Sequence, residues 1–489
     1  MALSAPFRPA PIATAGPDDS PGRGPLPLVA GAVALGTLAG VATVLMGPLV
    51  PLILLASTVG VALILVEPRW GLAAALAIIA ILPFGTLPFK VAVTPTLLES
   101  TLLLTWAVLA LRVLLRRDER LVPTALDGPL VLFLIVTLFA FLLGLGRGYT
   151  SQTLHDYAKM VLSISIFLLV TNLLRERRDL ALAMTGIGIG AAAAAGLGLA
   201  LRALGRGAEP ILLRLARIGY PTGKILRYIE DDPAKPLRAT GTSVDPNSFA
   251  GFLMVALVIL IAQAVARRPL VPRLLAAMAV PPVGLCLLLT YSRAAWVGAA
   301  AGVLLIALLR YRWLLPPLAA GGAAVLALGV GGAFVERLIL GIRLQDPATK
   351  LRLAEYRNAI AIIREHPLFG VGFGAAPSID LQAGVSSLYL TIAERLGLFG
   401  LGVFGLVLLV LAAQLWPPLR RLILDRQAPP HAAEAEAVVA LTGALGAALV
   451  AGALDHYFFH LGFAHMAAVF WGLVGLAVVA ARGVAGLKV

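Results

Sequence analysis

Arg293 stands in the hexapeptide Tyr291-Ser292-Arg293-Ala294-Ala295-Trp296, between two apolar runs, and Arg238 stands in a turn-rich stretch, Arg238-Ala239-Thr240-Gly241-Thr242, just ahead of a third. A guanidinium at the edge of an apolar run is costly unless paired, and its planar fork matches phosphate oxygens. Snorkelling of the long side chain to lipid headgroups is the plainer explanation of such an arginine. Further on, Lys350, Arg357 and Arg364 recur every seven residues, which on a helix makes one cationic stripe drifting only about 20° per heptad. Beside it Leu353, Tyr356, Ile360 and Ile363 form an apolar stripe, the pattern of a helix lying along a membrane surface. Pro367 and the run Gly370, Gly372, Gly374 mark its end. That run lacks a preceding strand and a Lys-Ser/Thr pair, so it reads as a tight turn, with a weak chance that its N–H groups meet an anion.

Proton transfer needs a different set of residues. Three of the six histidines fall in Asp455-His456-Tyr457-Phe458-Phe459-His460-Leu461-Gly462-Phe463-Ala464-His465. His456 and His460 are one helical turn apart, but such a pair is weak evidence for a metal, and packing among aromatic neighbours is the better reading. Asp455 beside His456 points to proton transfer, because a carboxylate orients an imidazole and raises its basicity. Glu99, at the start of an apolar run, is the other ionisable residue in an awkward place, with helix capping as its ordinary explanation. No Walker, Rossmann or zinc-helix pattern occurs. Neither a metal nor a cofactor is expected.

The elements that position these residues follow from composition. A chain of 489 residues that is 60% hydrophobic and 13% charged, with mean hydropathy +0.94, has more apolar surface than a water-soluble core could hide. The bilayer must be its solvent, so spans are helices, since unpaired backbone cannot face hydrocarbon. The lone Cys286 excludes an intrachain disulfide, and the net charge of +14 is assigned to loop arginines facing the cytoplasm rather than to nucleic acid. About fourteen runs suffice to cross the hydrocarbon, from Leu26–Met46 and Pro48–Val66 to Phe463–Ala481, with Gly71–Leu87 the weakest because Pro83 and Pro88 suit a re-entrant piece. The expected organisation is a disordered tail over 1–25, helices over 26–201, a loop over 202–246, helices over 247–335, a large loop with an amphipathic helix over 336–386, and helices over 387–489. Basic clusters at every second loop, among them Arg175, Arg177 and Arg178, place both termini in the cytoplasm and the two long loops outside it. Those loops carry eight Lys or Arg against five acids over Arg202–Asp245, and six against five over Glu336–Ser386, although positive charge is normally depleted there. An anionic partner would account for the excess.

The ordered set Arg238-Ala-Thr-Gly-Thr with Pro246-Asn247-Ser-Phe-Ala, Tyr291-Ser-Arg-Ala-Ala-Trp, Arg364-Glu-His-Pro-Leu-Phe-Gly-Val-Gly-Phe-Gly, and Leu388-Tyr-Leu followed by Glu394-Arg-Leu-Gly-Leu-Phe-Gly resembles the O-antigen ligase and O-antigen polymerase family of bacterial envelope proteins. The resemblance covers about residues 235–410. It implies an all-α integral membrane protein of about 12–14 helices with a GT-C-like architecture, in the bacterial cytoplasmic membrane, with its active site outside the cytoplasm. It further implies an inverting, metal-independent glycosyltransferase moving glycan from undecaprenyl diphosphate to a glycan, lipid or protein acceptor. By position, the diphosphate-holding arginines of the family fall on Arg293 and on Arg352, Arg357 and Arg364, with Arg238 added from its own setting. Ligase members usually carry His-Asn just before the Tyr-Leu that opens the span after the large loop, and that histidine is the proposed base. Here Ser386 and Ser387 stand there, which leaves His456, beside Asp455, as the substitute base. A transporter of a small anion such as bicarbonate, or an inactive relative that binds only the lipid carrier, remain the alternatives.

Overall fold

The computed structural model describes residues 49–87, 94–115, 120–328, 347–374, 385–424 and 432–485. The chain divides into two units, residues 1–57 and 58–489, and of the first only the start of helix α1 (Leu49–Val66) is described. The span read at Leu26–Met46 lies outside the described residues. In order, the second unit contains α2 (Arg69–Ile81), α3 (Leu97–Leu115), α4 (Asp127–Leu143), α5 (Ser151–Ile164), α6 (Ile166–Leu173) and α7 (Arg177–Leu204). A loop holding the short helix α8 (Glu209–Leu213) leads to α9 (Pro246–Val265), α10 (Arg273–Leu289), α11 (Arg293–Leu309) and α12 (Leu315–Leu328). Then come α13 (Pro347–Glu365), α14 (Leu388–Leu424), α15 (Ala432–Gly452) and α16 (Ala464–Val484). Among the described residues no strand forms beyond two isolated bridges, Thr86 with Thr96 and Tyr228 with Leu237. Among the described residues seven helical stretches are long and apolar enough to cross a membrane, and five shorter apolar helices accompany them. The protein is an all-α integral membrane protein, as hydropathy requires.

Three helices form the centre. In α9, α15 and α16 about four-fifths of the residues are buried, and each is apolar around its whole circumference, which suits an interior position. Lipid adds no hydrophobic drive between helices, so close packing must hold them together. Small residues permit it where α11 meets α15: a Cβ on Gly298 would come 2.7 Å from the Ala447 carbonyl oxygen, and one on Gly302 2.8 Å from that of Gly443. Outer helices turn large apolar side chains such as Ile135, Leu182, Leu274 and Leu409 outward, as contact with hydrocarbon demands.

Two breaks interrupt the apolar runs. Between α5 and α6, Ser165 Oγ donates to the Leu162 carbonyl at 2.7 Å and accepts the indole N–H of Trp106 at 2.9 Å, so the side chain competes with the helix ladder. In α14 the break falls at Gly397, whose φ of 74° is open to glycine and strained for any side chain. The ladder lost there is replaced across the fold. Leu398 and Phe399 donate N–H to the carbonyls of Pro367 and Leu368, while the carbonyls of Glu394 and Arg395 accept N–H from Val371 and Gly372 at 2.9 Å each. The two motifs Pro367–Gly372 and Glu394–Phe399 are therefore partners, and their pairing docks the end of α13 onto α14. Arg395 adds donors to the Gly372 and Gly374 carbonyls at 3.1 and 2.7 Å. The N–H groups from Gly370 to Phe373 are thus consumed, with Phe373 N–H taken by the Tyr149 hydroxyl at 3.0 Å. The run is the tight turn expected, and four of its N–H groups are bound within the protein rather than open to an anion.

The basic clusters meet one another at one end of the bundle. Arg69 pairs with Asp179 at 2.7 Å, Arg112 donates to the Val66 carbonyl, Arg175 to that of Arg120 at 2.9 Å, Arg310 to that of Leu422 at 3.3 Å, and Arg482 to that of Thr171 at 3.3 Å. Alternating loops rich in arginine do share a side, as the sequence pattern requires.

Gly397→Ala must place a side chain at positive φ and 2.1 Å from the Leu368 carbonyl oxygen, at a cost of roughly 1–3 kcal/mol for the backbone and about as much again for overpacking. Thermal unfolding in detergent should show a lower midpoint for Gly397→Ala, and no loss for Gly402→Ala, where nothing lies within 4 Å. Equal midpoints would remove the paired break from the account.

Candidate functional site

At the end opposite the arginine-rich loops, the starts of α9, α11, α14 and α16 face the end of α15 and one side of α13. Asp455, three residues past α15, is 4% exposed. Its carboxylate lies 3.5 Å from Arg352 Nη2 on α13, and its Oδ1 accepts the backbone N–H of His456 at 2.9 Å. Burial pushes this carboxyl above the usual range, against the pull of His456 and Arg352, and the charge of Asp245 at the start of α9 adds to the rise. His456 Nδ1 lies 3.5 Å from Asp455 Oδ1 and makes no hydrogen bond among the described residues. The carboxylate is therefore within ion-pair reach of the imidazole without the Nδ1 hydrogen bond that would fix its tautomer.

His456 and His460 are not on an α-helix, since a 3-10 turn, Tyr457–Phe459, lies between them. Their rings nevertheless pack edge to face with centroids 4.6 Å apart. Nδ1 of His460 accepts the Gly462 N–H at 3.1 Å, and Phe463 stacks nearby, so aromatic packing describes this pair.

Arg238 and Arg293 belong to the adjoining corner. Nε of Arg238 donates to the Thr290 carbonyl at 2.7 Å and Nη2 to Asn247 Oδ1 at 2.7 Å. Those bonds tie the first loop to the corner that carries Arg293 at the first turn of α11, half-buried. Two non-glycine residues there adopt the left-handed conformation: Val244 (φ 58°), just before the Asp245 cap of α9, and Tyr291 (φ 56°), two residues before Arg293. Strain of this kind persists where surrounding contacts over-determine it. Asp245 links the halves, because its charge acts on Asp455 while Asn247, two residues on, holds Arg238.

Helix α13 forms where the heptad pattern places it, and Lys350, Arg357 and Arg364 are all exposed along it. Its buried face differs from the one read. Ala359 and Ile362 are buried while Ile360 is 41% exposed, because small Ala359 lets the helix approach α14. On this register Arg352 faces Asp455, whereas Arg357 and Arg364 lie about 140° and 120° further round at 100° per residue. Neither has an ion-pair partner among the described residues. The structure thus brings together Arg352, Asp455, His456 and Asp245, joins Arg238 to the Arg293 corner, and leaves Arg357 and Arg364 on the outer face.

Two further carboxylates escape a reading by motif. Glu355 Oε2 accepts Ser386 Oγ–H at 2.7 Å and the Ser386 N–H at 3.1 Å, while Tyr356 donates to the Ser386 carbonyl at 3.0 Å. Glu355 therefore stands beside the position where ligase members carry histidine. Only its placement three residues after Arg352 signalled this. Glu99 caps its own helix, accepting the Thr96 N–H at 3.1 Å, and also holds His155 Nε2 at 3.0 Å, with His155 only 8% exposed. The capping reading is right and incomplete, since nothing local marks His155 as its partner. In the first loop two of the acids are paired internally, Asp231 with Lys224 at 2.7 Å and Glu230 with Lys235. The Lys224 hydrogen bond holds Asp231 below the usual carboxylate range.

The motif partners Pro367–Gly372 and Glu394–Phe399 and the Arg293 corner lie within one stretch of chain, and that stretch matches a known family model. Residues 278–410 match the family model described as O-antigen ligase. The match takes in most of α10, all of α11, α12 and α13, and α14 past its break. Arg293, Arg352, Glu355 and Ser386 lie inside the matched stretch, whereas Arg238, Asp455 and His456 lie outside it. No curated protein matches the chain.

The raised carboxyl of Asp455 carries a sign. A group whose folded pKa exceeds its unfolded one contributes most below the unfolded value and loses that contribution as pH rises through the folded value. Asp455→Asn should therefore melt higher than the parent at neutral pH, with the gap closing as pH falls to the ordinary carboxylate range. A gap that widens on acidification would contradict the assigned burial.

Proposed function

We propose that the protein transfers glycan from undecaprenyl diphosphate to an acceptor at the Arg352–Asp455 end of the bundle, outside the cytoplasm. The observation that carries the reading is that the matched stretch is tied at two points to residues outside it: Arg352 lies 3.5 Å from Asp455, and Arg238 donates to the Thr290 carbonyl, three residues before Arg293. A donor linked through diphosphate brings its own activation. In the transfer the acceptor hydroxyl attacks the anomeric carbon from the face opposite the diphosphate, with inversion. The carbon–oxygen bond to diphosphate breaks, its electron pair leaves on the diphosphate, and the hydroxyl proton passes to a base. Guanidinium groups held in a partly dewatered site stabilise the charge that grows on the leaving group.

Within this reading Arg293, Arg238 and Arg352 grip the diphosphate, and Asp455 sets the position of Arg352. His456 takes the proton, its ring half-exposed and close to Asp455. Arg357 and Arg364 stay outside the grip and meet headgroups along the exposed stripe. Whether the acceptor is a lipid, a further glycan repeat or a protein is set by the surface around α13.

Purified protein, given undecaprenyl-diphosphate oligosaccharide and candidate acceptors, should form product. Arg293→Ala and Arg352→Ala should each lower the rate by about 10²–10³-fold, as loss of a charge-stabilising donor does. His456→Ala should cost about 10²–10⁴-fold. Undiminished product from Arg293→Ala in correctly inserted protein would refute the assignment. Normal rates in His456→Ala alone would move the base elsewhere.

A further inference from the structure

The arginine-rich end holds a cavity of its own that opens to the outside of the protein and whose polar lining is Arg175, Glu176, Arg177, Glu434 and Arg482. It lies where α7 and α15 begin and α16 ends, separated from the candidate site by the 21-residue α15, roughly 30 Å at 1.5 Å per residue. At this depth apolar spans give way to basic loops, which is where phospholipid headgroups lie.

The guanidinium groups are set by the backbone. Arg482 donates to the Thr171 and Pro123 carbonyls at 3.3 and 3.0 Å, and Arg175 to those of Asn172 and Arg120 at 3.0 and 2.9 Å. Among the described residues neither Nε of Arg482 nor Nη1 of Arg175 has a hydrogen-bond partner, which leaves each a nitrogen for a ligand. Glu176 is committed to the capping box of α7. Glu434 is different. It is 6% exposed, its Oε1 lies 3.8 Å from Arg177 Nε, and its Oε2 is buried with no hydrogen-bond partner among the described residues. Its place in the first turn of α15 gains from the helix dipole, but a dipole supplies Oε2 with no donor. A buried carboxylate oxygen lacking a donor is costly and calls for a ligand that brings one.

A simple anion would suit the arginines and be repelled by Glu434. A choline headgroup has a phosphate but no N–H. A phosphate joined to a primary ammonium by two carbons answers both halves of the lining. We propose that this cavity binds the headgroup of a phosphatidylethanolamine-type lipid, its phosphate against Arg175, Arg177 and Arg482 and its ammonium donating to Glu434 Oε2.

The test uses the full-length protein in detergent, supplied in turn with dioleoyl phosphatidylethanolamine, phosphatidylglycerol and phosphatidylcholine. Retained lipid is counted by native mass spectrometry and thermal stability is read in parallel. Phosphatidylethanolamine should bind about tenfold more tightly than either of the others, the effect of one charge-assisted hydrogen bond. Glu434→Gln should erase that preference, and Arg177→Ala should weaken phosphatidylethanolamine and phosphatidylglycerol alike. Equal retention of the three lipids by the parent protein, or a preference that survives Glu434→Gln, would overturn the proposal. Should Glu434→Gln fail to fold, the lipid series on the parent protein decides alone.

Discussion

A helix that spans a membrane cannot leave backbone groups unpaired, and the break of α14 at Gly397 is tolerated only because another segment completes it. Pro367, Leu368, Val371 and Gly372 supply the missing acceptors and donors, so the large loop enters the bundle as a structural part rather than an appendage. Everything placed by α13 follows from that exchange. With the end of the helix fixed against α14, Ala359 and Ile362 turn inward and Arg352 arrives at Asp455. Tyr356, bonded to the Ser386 and Ala453 carbonyls, closes the other side.

The two ends of the bundle use arginine differently. At one, guanidinium groups take up carbonyls left open at a helix end or in a loop, as Arg482 does for Thr171 and Pro123. At the other, Arg352 meets a buried carboxylate, and Arg238 stitches two corners whose backbone is strained at Val244 and Tyr291. The second arrangement is expensive to maintain and contributes little to stability, since paired buried charges seldom exceed the cost of their desolvation. Retaining it makes sense where a polyanion has to be held.

Much of this was legible in the residues. Long apolar runs fixed helices such as α3, Leu97–Leu115, to the residue, because the bilayer allows a span no other structure. The alternation of basic loops foretold which helix ends meet. Breaks were not legible. Nothing in a run such as Leu396-Gly397-Leu398 says that this glycine, unlike Gly402, adopts positive φ, because the cause is a partner about thirty residues away. The same holds for the site. Arg293, Asp455 and His456 stood out by residue type and setting. Of the three arginines expected on α13, packing through Ala359 turns Arg352 toward Asp455 and leaves Arg357 and Arg364 exposed, an orientation that heptad spacing does not reveal. Glu355 with Ser386, and Glu99 with His155, are tertiary pairs invisible to spacing.

The most direct test of the central claim is where a lipid diphosphate sits. A photoreactive undecaprenyl-diphosphate sugar, with its reactive group beside the diphosphate, should be cross-linked to the protein in liposomes and the adducts mapped by peptide mass spectrometry. Adducts are predicted on peptides containing Arg352, Arg293 and His456. Adducts confined to the opposite end, at Arg175, Arg177 and Arg482, or spread evenly over lipid-facing helices, would contradict it.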